Sequence, residues 1–292
     1  MLKRMLDLPP VSFVWEVWDT YNRVGVPRSA AALSYFLILT LFPLLMCVNF
    51  FIGLFHLNLE QVVQALDQVL PAGVLSVISD YLSYVGGIQS PALLAASLFT
   101  ILVSASAGLR TLFLTMDELY SVRRDNGVRR IVLSVVLSLL FLLTVYLSVV
   151  VIFTGDWFFG FLRANMPPRL IELMPLEVLE VLGDLWQWMR YLLLFCFVLL
   201  LVLAIYRVGT PRKALGRGAV RLSALFTALA MVACSVLFSW FIDMSSRYAL
   251  VYGSLASLII LLVWLYFCGN ILLLGAVTGR VFSRRVEERE NP

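Results

Sequence analysis

Six long runs of apolar residues dominate this sequence, and each is long enough to cross a lipid bilayer as a helix. A helix needs roughly 20 residues to cross a hydrocarbon core of about 30 Å. The runs do not alternate between apolar and polar residues as barrel strands do, so they suit helices, which close their backbone hydrogen bonds internally. We therefore expect an all-α, polytopic membrane protein that forms one domain over residues 1–292, with six spans at about 30–55, 91–114, 131–153, 186–206, 219–242 and 255–281.

The composition agrees with lipid as the main solvent of the chain. Hydrophobic residues make up 61% of the sequence and charged residues 14%, whereas soluble domains have about 45–50% and about 25%. The formal net charge of +4 does not indicate nucleic acid, because the basic residues are spread over short segments between the apolar runs. Basic residues in that position set the orientation of a membrane protein. We expect no nucleic acid partner.

The distribution of basic residues predicts how the chain is inserted. Of the 22 Lys and Arg residues, 17 lie in segments 1–28, 115–130, 207–221 and 280–292, which six spans place on the same side of the membrane. Four lie on the other side, and Arg110 lies within a span. The positive-inside rule assigns the richer side to the cytoplasm. Both termini are therefore predicted to be cytoplasmic.

Three segments outside the spans have apolar residues at helical spacing. Residues 11–24 predict an amphipathic helix that lies along the inner interface. Loops 56–90 and 154–190 predict further helices that form a small cap on the outer face or lie in the outer headgroup layer. The stripe in 11–24 consists of Phe13, Val14, Val17, Tyr21 and Val24, and the stripe in 56–90 includes Leu59, Val62, Val63, Leu66 and Leu70.

The sequence lacks the residues that several kinds of chemistry need. It has no GxxxxGK[ST] phosphate-binding loop, and its one histidine, His56, cannot form a histidine-rich metal site within one chain. The four cysteines lie inside apolar runs without a CxxC pair, which is typical of buried small hydrophobic residues. We expect no catalytic residue, no metal and no cofactor.

Arg110 is the first candidate for contact with a lipid or substrate, because charges inside a bilayer often mark a pathway. Its span is predicted to end at Leu114, roughly 6 Å further along the helix at about 1.5 Å per residue. The side chain could snorkel to the interface over that distance, or pair with Asp117 or Glu118. Alternatively, it could point into a cavity that opens to the cytoplasm.

Five further polar residues in the spans are candidates for lining the same path. Tyr266 and Asn270 lie four residues apart on one face of the sixth span, and Ser34, Tyr35 and Asn49 lie in the first. A buried amide in lipid needs a hydrogen-bond partner, usually on another helix. These residues could therefore equally serve contacts between helices.

Three residues predict features of helix shape and packing. Pro43 removes one backbone hydrogen bond in the middle of the first span, which would give either a kink that opens toward a cavity or a bend for packing. Gly275 and Gly279 form a GxxxG pair in the sixth span. Such a pair permits close approach of another helix.

Three segments together resemble the BrkB/YihY family of bacterial inner-membrane proteins. They are RSAAALSYFLILTLFPLL from Arg28, RVGTPRKALGRGAV from Arg207 and YGSLASLIILLVWLYFCGNILLLGA from Tyr252, and the resemblance covers nearly the whole chain. It implies a six-helix protein of the bacterial inner membrane. Relatives commonly have an acidic residue directly after the LLLGA stretch, where this chain has Val277. A role of that acid therefore cannot be transferred to this chain.

The resemblance does not imply a settled activity. Members were long labelled as a transfer-RNA ribonuclease, and the family has been linked to serum resistance and to export of envelope lipid or lipopolysaccharide. A metal-dependent nuclease needs clustered His and Asp ligands, so we expect no enzyme. We expect a translocator of a lipid or amphipathic envelope molecule, with membrane lipids as partners and an anionic lipid or envelope precursor as substrate. A non-transporting scaffold of the envelope is the alternative, and either could form an oligomer.

Tags at the two chain ends test the predicted topology. Because an even number of spans returns the chain to its starting side, an N-terminal and a C-terminal tag should both be protected from protease in intact spheroplasts and both be cleaved after lysis. A periplasmic alkaline phosphatase fused to either end should be inactive. Tags reachable from opposite compartments would contradict the number of spans.

Overall fold

The computed structural model describes residues 9–54, 72–85, 90–122, 128–165, 176–211, 216–244 and 255–290, and within these ranges the chain is entirely helical apart from short turns and caps. The expectation of an all-α membrane protein with six spans is confirmed, since six of the described helices are long and apolar enough to cross a bilayer. The described helices are α1 (Pro9–Arg23), α2 (Val26–Leu54), α3 (Ala72–Val85), α4 (Pro91–Leu119), α5 (Val128–Asn165), α6 (Leu176–Gly209), α7 (Arg217–Met244) and α8 (Leu255–Glu290).

Three of the spanning helices are longer than a bilayer is thick. Helices α5, α6 and α8 have 38, 34 and 36 residues, which at about 1.5 Å per residue gives roughly 50–57 Å. Much of the predicted outer loop 154–190 therefore continues α5 and α6, because its apolar residues keep helical spacing. The stripe from Leu59 to Leu70 and the acidic Glu172 lie outside the described residues.

The six spans pack in chain order and close into a ring. Each of α2, α4, α5, α6, α7 and α8 contacts the next, and α8 returns to contact α2. The largest buried cluster lies toward one end of this ring, where α4, α6, α7 and α8 converge. Its members include Leu112, Met116, Tyr206, Ala224 and Leu273.

Glycines allow several of these helices to approach closely. Gly269 of α8 lies against the backbone of Ala30 in α2, and Gly108 of α4 lies against Leu33 and Phe36. Gly275 of α8 lies beneath two polar side chains of neighbouring helices. Gly275 thus lies close to α6 and α7, while Gly279 is buried on the same helix. Helix α2 continues through Pro43 without interruption.

The ends of several helices meet at one end of the ring, which we call the basic end. Thr210 after α6 donates a hydrogen bond of 3.3 Å to the Tyr120 hydroxyl after α4. The Arg280 guanidinium of α8 lies 5.7 Å from the centre of the Tyr120 ring. Helix α1 and the start of α2 lie here as well. The described parts of the basic segments 1–28, 115–130, 207–221 and 280–292 thus lie at this same end of the ring. The assignment of this end to the cytoplasm stays a prediction.

Helix α1 does not lie alone on the interface but is docked on α8. Its predicted stripe is largely buried: Phe13, Val17 and Tyr21 pack against the main cluster and Val24 is buried, while Val14 is exposed. Gly25 then reverses the chain with φ of +69°, a conformation that favours glycine, and Pro27 lies in the first turn of α2, where its missing N–H costs nothing.

Helix α3 differs from the expected outer cap, because it is inserted into the far half of the bundle. It has 14 residues, which at about 1.5 Å each reach roughly 21 Å and cannot cross the membrane. It packs against α2 and α8, with Ile78 and Leu82 buried among Leu45 and Leu261. The Tyr81 ring lies 5.4 Å from that of Phe42, at the middle of α2. A helical stripe in the sequence does not distinguish a cap from an inserted helix.

Gly275→Ala tests the close packing of α8 with α6 and α7. A Cβ at Gly275 would collide with the Thr227 and Tyr206 hydroxyl oxygens, so we expect the variant to lose about 1–3 kcal/mol of stability from overpacking. Unfolding in detergent would measure this loss. Gly218→Ala in α7 is the matched control, because nothing lies within 4 Å of the position that its new methyl group would take; equal destabilisation of both variants would contradict the interpretation.

Candidate functional site

The polar residues predicted to line one path lie at different levels and faces of the bundle. Asn270 and Tyr266 are near the basic end, and Asn49 is in the far half beside α3. Arg110 and Tyr35 are exposed on the sides of α4 and α2. The structure therefore does not bring the six candidates together into one described site.

Asn270 joins α8 to the docked helix α1. The Tyr21 hydroxyl donates a hydrogen bond of 2.7 Å to Asn270 Oδ1, and Asn270 Nδ2 donates one of 2.9 Å to the carbonyl oxygen of Tyr266. Burial, assisted by Tyr266, raises the pKa of Tyr21, which keeps its hydroxyl protonated as the donor. Asn270 therefore serves a contact between helices, which was the alternative to its lining a path for a lipid or substrate.

Asn49 has a comparable role at α3. It is buried, and its Nδ2 donates a hydrogen bond of 3.2 Å to the carbonyl oxygen of Val85, at the last turn of α3. Val85 is the last residue of α3, and carbonyl groups at the end of a helix commonly need partners from outside it. Asn49 thus fixes the end of the inserted helix to α2.

Arg110 and Tyr35 point away from the buried cluster, whereas Ser34 is buried in α2. Arg110 belongs to the exposed face of α4, together with Phe99, Val103 and Leu114. This exposure fits a side chain that snorkels along lipid. The Ser34 hydroxyl donates to the carbonyl oxygen of Ala31 in the same helix, at 2.8 Å, and Tyr35 is 58% exposed.

A cleft at the basic end brings together charged residues that the sequence had indicated only as orientation signals. Its volume is about 400 Å³. Helix α1, the end of α4 and the last third of α8 form its walls. The lining residues are Glu16, Thr20, Arg23, Val24, Glu118, Leu119, Ser121, Arg280, Val281 and Arg284.

The walls of the cleft are held in place by Arg285 and Tyr120. Arg285 Nε binds Glu16 Oε2 at 2.9 Å, and Arg285 Nη2 donates to the Ser12 hydroxyl at 3.1 Å, so α8 holds α1 at two points. Burial raises the pKa of Tyr120, opposed by the Thr210 hydrogen bond and the nearby Arg280 charge. Tyr120 is therefore a neutral phenol whose ring face supports Arg280.

An ion pair and a hydroxyl pair fix the neighbouring part of α4. Arg130 at the start of α5 binds Asp117 of α4 at 2.8 Å, and both side chains are 11% exposed. Thr115 donates a hydrogen bond of 2.7 Å to the Ser29 hydroxyl of α2. These two contacts connect the end of α4 to α5 and to α2.

The face of α1 that points away from α8 carries exposed aromatic residues. Trp15 is 61% exposed and Trp18 is 59% exposed, and Val14 lies beside them on the helix surface. Trp side chains are enriched at the boundary between lipid and water. Helix α1 therefore combines a docked face with a second face suited to the headgroup layer.

Among the described residues, no group of three or more His, Cys, Asp and Glu side chains is arranged to hold a metal ion. The cysteines of the described residues are free thiols without a disulfide.

The chain is similar to a protein family and to a curated bacterial protein. Residues 17–292 match the family described as Virulence factor BrkB. The chain is 24% identical over 293 residues to a Bacillus subtilis (strain 168) protein named putative ribonuclease-like protein YfkH, and the match covers 97% of this chain and 99% of that protein. No solved structure matches the chain.

A double-mutant cycle tests the contact between Tyr21 and Asn270. We expect Tyr21→Phe and Asn270→Ala to destabilise the protein less than additively, with a coupling free energy of about 0.6 kcal/mol and no more than about 1.7 kcal/mol, the range for hydrogen bonds between membrane helices. Unfolding in detergent measures the coupling. Tyr35→Phe, which alters an exposed hydroxyl, is the control and should leave stability unchanged; additive effects at 21 and 270 would contradict the hydrogen bond.

Proposed function

The chain belongs to the Virulence factor BrkB family, and we propose that it translocates an amphipathic envelope lipid across the bacterial inner membrane. Six apolar spanning helices make it a multi-pass membrane protein. We favour a translocator because the two ends of the ring differ in architecture.

The inserted helix α3 is the observation that carries the proposal. A helix that crosses only part of a bilayer leaves backbone ends at membrane depth, which are tolerated where protein or a water-filled cavity surrounds them. Such broken or partial helices are typical of transport proteins. Here α3 occupies the far half of the groove between α2 and α8, with Leu82 wholly buried. Displacing α3 would open that groove toward the far end.

The contact between α2 and α8 changes character along its length, which supports the same proposal. Toward the basic end, Gly269 and Ala30 bring the two backbones together. In the far half, α3 contacts both helices. A lipid headgroup moving along this groove would therefore need α2 and α8 to separate where Gly269 meets Ala30, and α3 to leave the far half.

A non-transporting scaffold is the second candidate, and the contacts of the asparagines favour it. Asn270 is bonded to Tyr21 and Asn49 to the end of α3, so these two amides are accounted for by helix packing. A scaffold would use the same ring without any movement of α3. It predicts no lipid movement beyond that of protein-free liposomes.

We do not propose a ribonuclease, although the curated relative carries that word in its name. Metal-dependent hydrolysis needs several His or carboxylate ligands around an ion, and the sequence has a single histidine.

Lipid movement in liposomes tests the proposal. Purified protein is reconstituted in liposomes that contain fluorescent phosphatidylglycerol or phosphatidylethanolamine, and external dithionite bleaches the label in the outer leaflet. We expect the bleached fraction to exceed the roughly one half that protein-free liposomes give. Bleaching equal to that of protein-free liposomes for every lipid would favour the scaffold.

Cross-linking separates movement of α3 from nonspecific leakage. In a cysteine-free background, Phe42→Cys with Tyr81→Cys places two thiols where the rings now lie 5.4 Å apart. A short reducible cross-linker should stop lipid movement, and reduction should restore it. Ser29→Cys with Thr115→Cys, whose hydroxyls are 2.7 Å apart, fixes α2 to α4 as the control and should leave movement intact. Unchanged movement with α3 fixed would exclude this route.

A further inference from the structure

We propose that the cleft at the basic end is a binding site for a phosphate-bearing anion, with Arg280 and Arg284 as its main ligands and Arg23 as a third. This site is independent of lipid movement, because it requires only equilibrium binding. The proposal therefore succeeds or fails separately from the function proposed above.

The size of the cleft suits a headgroup rather than a whole lipid or a single water. Ligand sites commonly have volumes of about 300–1,000 Å³, and this cleft has about 400 Å³. Its walls come from α1, α4 and α8, which are held together by the contacts of Arg285 and Tyr120. The site is thus built by tertiary packing and is not a patch on one helix.

The charge balance in the cleft favours an anion. Three arginines and two glutamates line it. Glu16, one of the two acids, is bound at 2.9 Å by Arg285, which is not a lining residue. Glu118 is the second acid of the lining. The lining thus carries one more positive than negative formal charge.

Arg280 and Arg284 are arranged to bind one ligand together. They are four residues apart, so they lie on the same face of α8. Arg280 also lies over the neutral ring of Tyr120 at 5.7 Å, which limits its freedom before a ligand binds. Guanidinium groups bind phosphate oxygens through two parallel N–H donors. Two such groups a turn apart match the several oxygens of one phosphate.

The position of the cleft gives its ligand two sources. Trp15 and Trp18 on the outer face of α1 are exposed, and their side chains suit the level of lipid headgroups. An anionic lipid could place its phosphate in the cleft from the neighbouring leaflet. A soluble phosphate ester could enter from the aqueous side. Both offer the same phosphate chemistry, and the choice of probe separates them.

Binding to the full-length protein in neutral detergent tests the site. The probes are dihexanoyl phosphatidylglycerol, dihexanoyl phosphatidylcholine, glycerol phosphate and inorganic phosphate, titrated by calorimetry at fixed ionic strength because salt screens exposed charges. We expect phosphatidylglycerol to bind at least tenfold more tightly than phosphatidylcholine. Binding of phosphatidylglycerol but not of the two soluble phosphates assigns the ligand to the lipid. Equal binding of the soluble phosphates assigns it to a free phosphate ester.

Variants locate the binding within the cleft. Arg280→Gln combined with Arg284→Gln should raise the Kd for the bound probe at least tenfold. Glu118→Gln should lower it, because this change removes the opposing charge, and a misfolded protein could not gain affinity. Arg207→Gln is the matched control, since Arg207 is an exposed arginine at the same end but not in the cleft; its Kd should stay within twofold of the unchanged protein.

Three results would overturn the proposal. The first is equal affinity for phosphatidylglycerol and phosphatidylcholine together with no binding of the soluble phosphates. The second is a Kd of the double arginine variant within twofold of the unchanged protein. The third is an equally large effect of Arg207→Gln, which would assign binding to the general charge of this end.

Discussion

The whole structure depends on satisfying polar groups without water inside the bilayer. Helices meet this need for the backbone, and several hydroxyl side chains meet it locally by bonding a carbonyl oxygen one turn earlier in their own helix. Such bonds of 2.8 Å are made by Thr100 to Ala96, Thr144 to Leu140 and Ser148 to Thr144. Polar contacts between helices are then reserved for a few places. Tyr206 is one, since its hydroxyl donates at 2.6 Å to the carbonyl oxygen of Leu272.

The six spans could be predicted from the sequence because span length and hydropathy are local properties of the chain. The basic residues likewise identified segments that meet at one end of the ring. The insertion of α3 could not be predicted in this way, since a stripe such as Ile78 and Leu82 looks the same whether it packs on other helices or on lipid. That choice is made by Leu45 and Leu261, which are remote in sequence.

The cleft escaped prediction for a related reason. Arg280 and Arg284 were visible as a basic pair, but their number and spacing are those of any orientation signal. They line a cleft only because α1 docks beside them. No local sequence pattern predicts where an amphipathic helix docks. Arg110 attracted attention because it interrupts an apolar run, yet its side chain is exposed on α4. The direction in which a charged side chain points from its helix therefore indicates its role better than its position along the span does.

The bond between Arg285 and Glu16 has a consequence for the order in which this protein can be assembled. The two residues are 269 positions apart, and Tyr21 and Asn270 are 249 apart. During synthesis, α1 emerges well before α8, so it must wait for the long intervening segment before this partner exists. Contacts of such wide separation are slow to form, because a long loop must be closed first. Completion of the ring by α8 and docking of α1 on α8 are therefore late events in assembly.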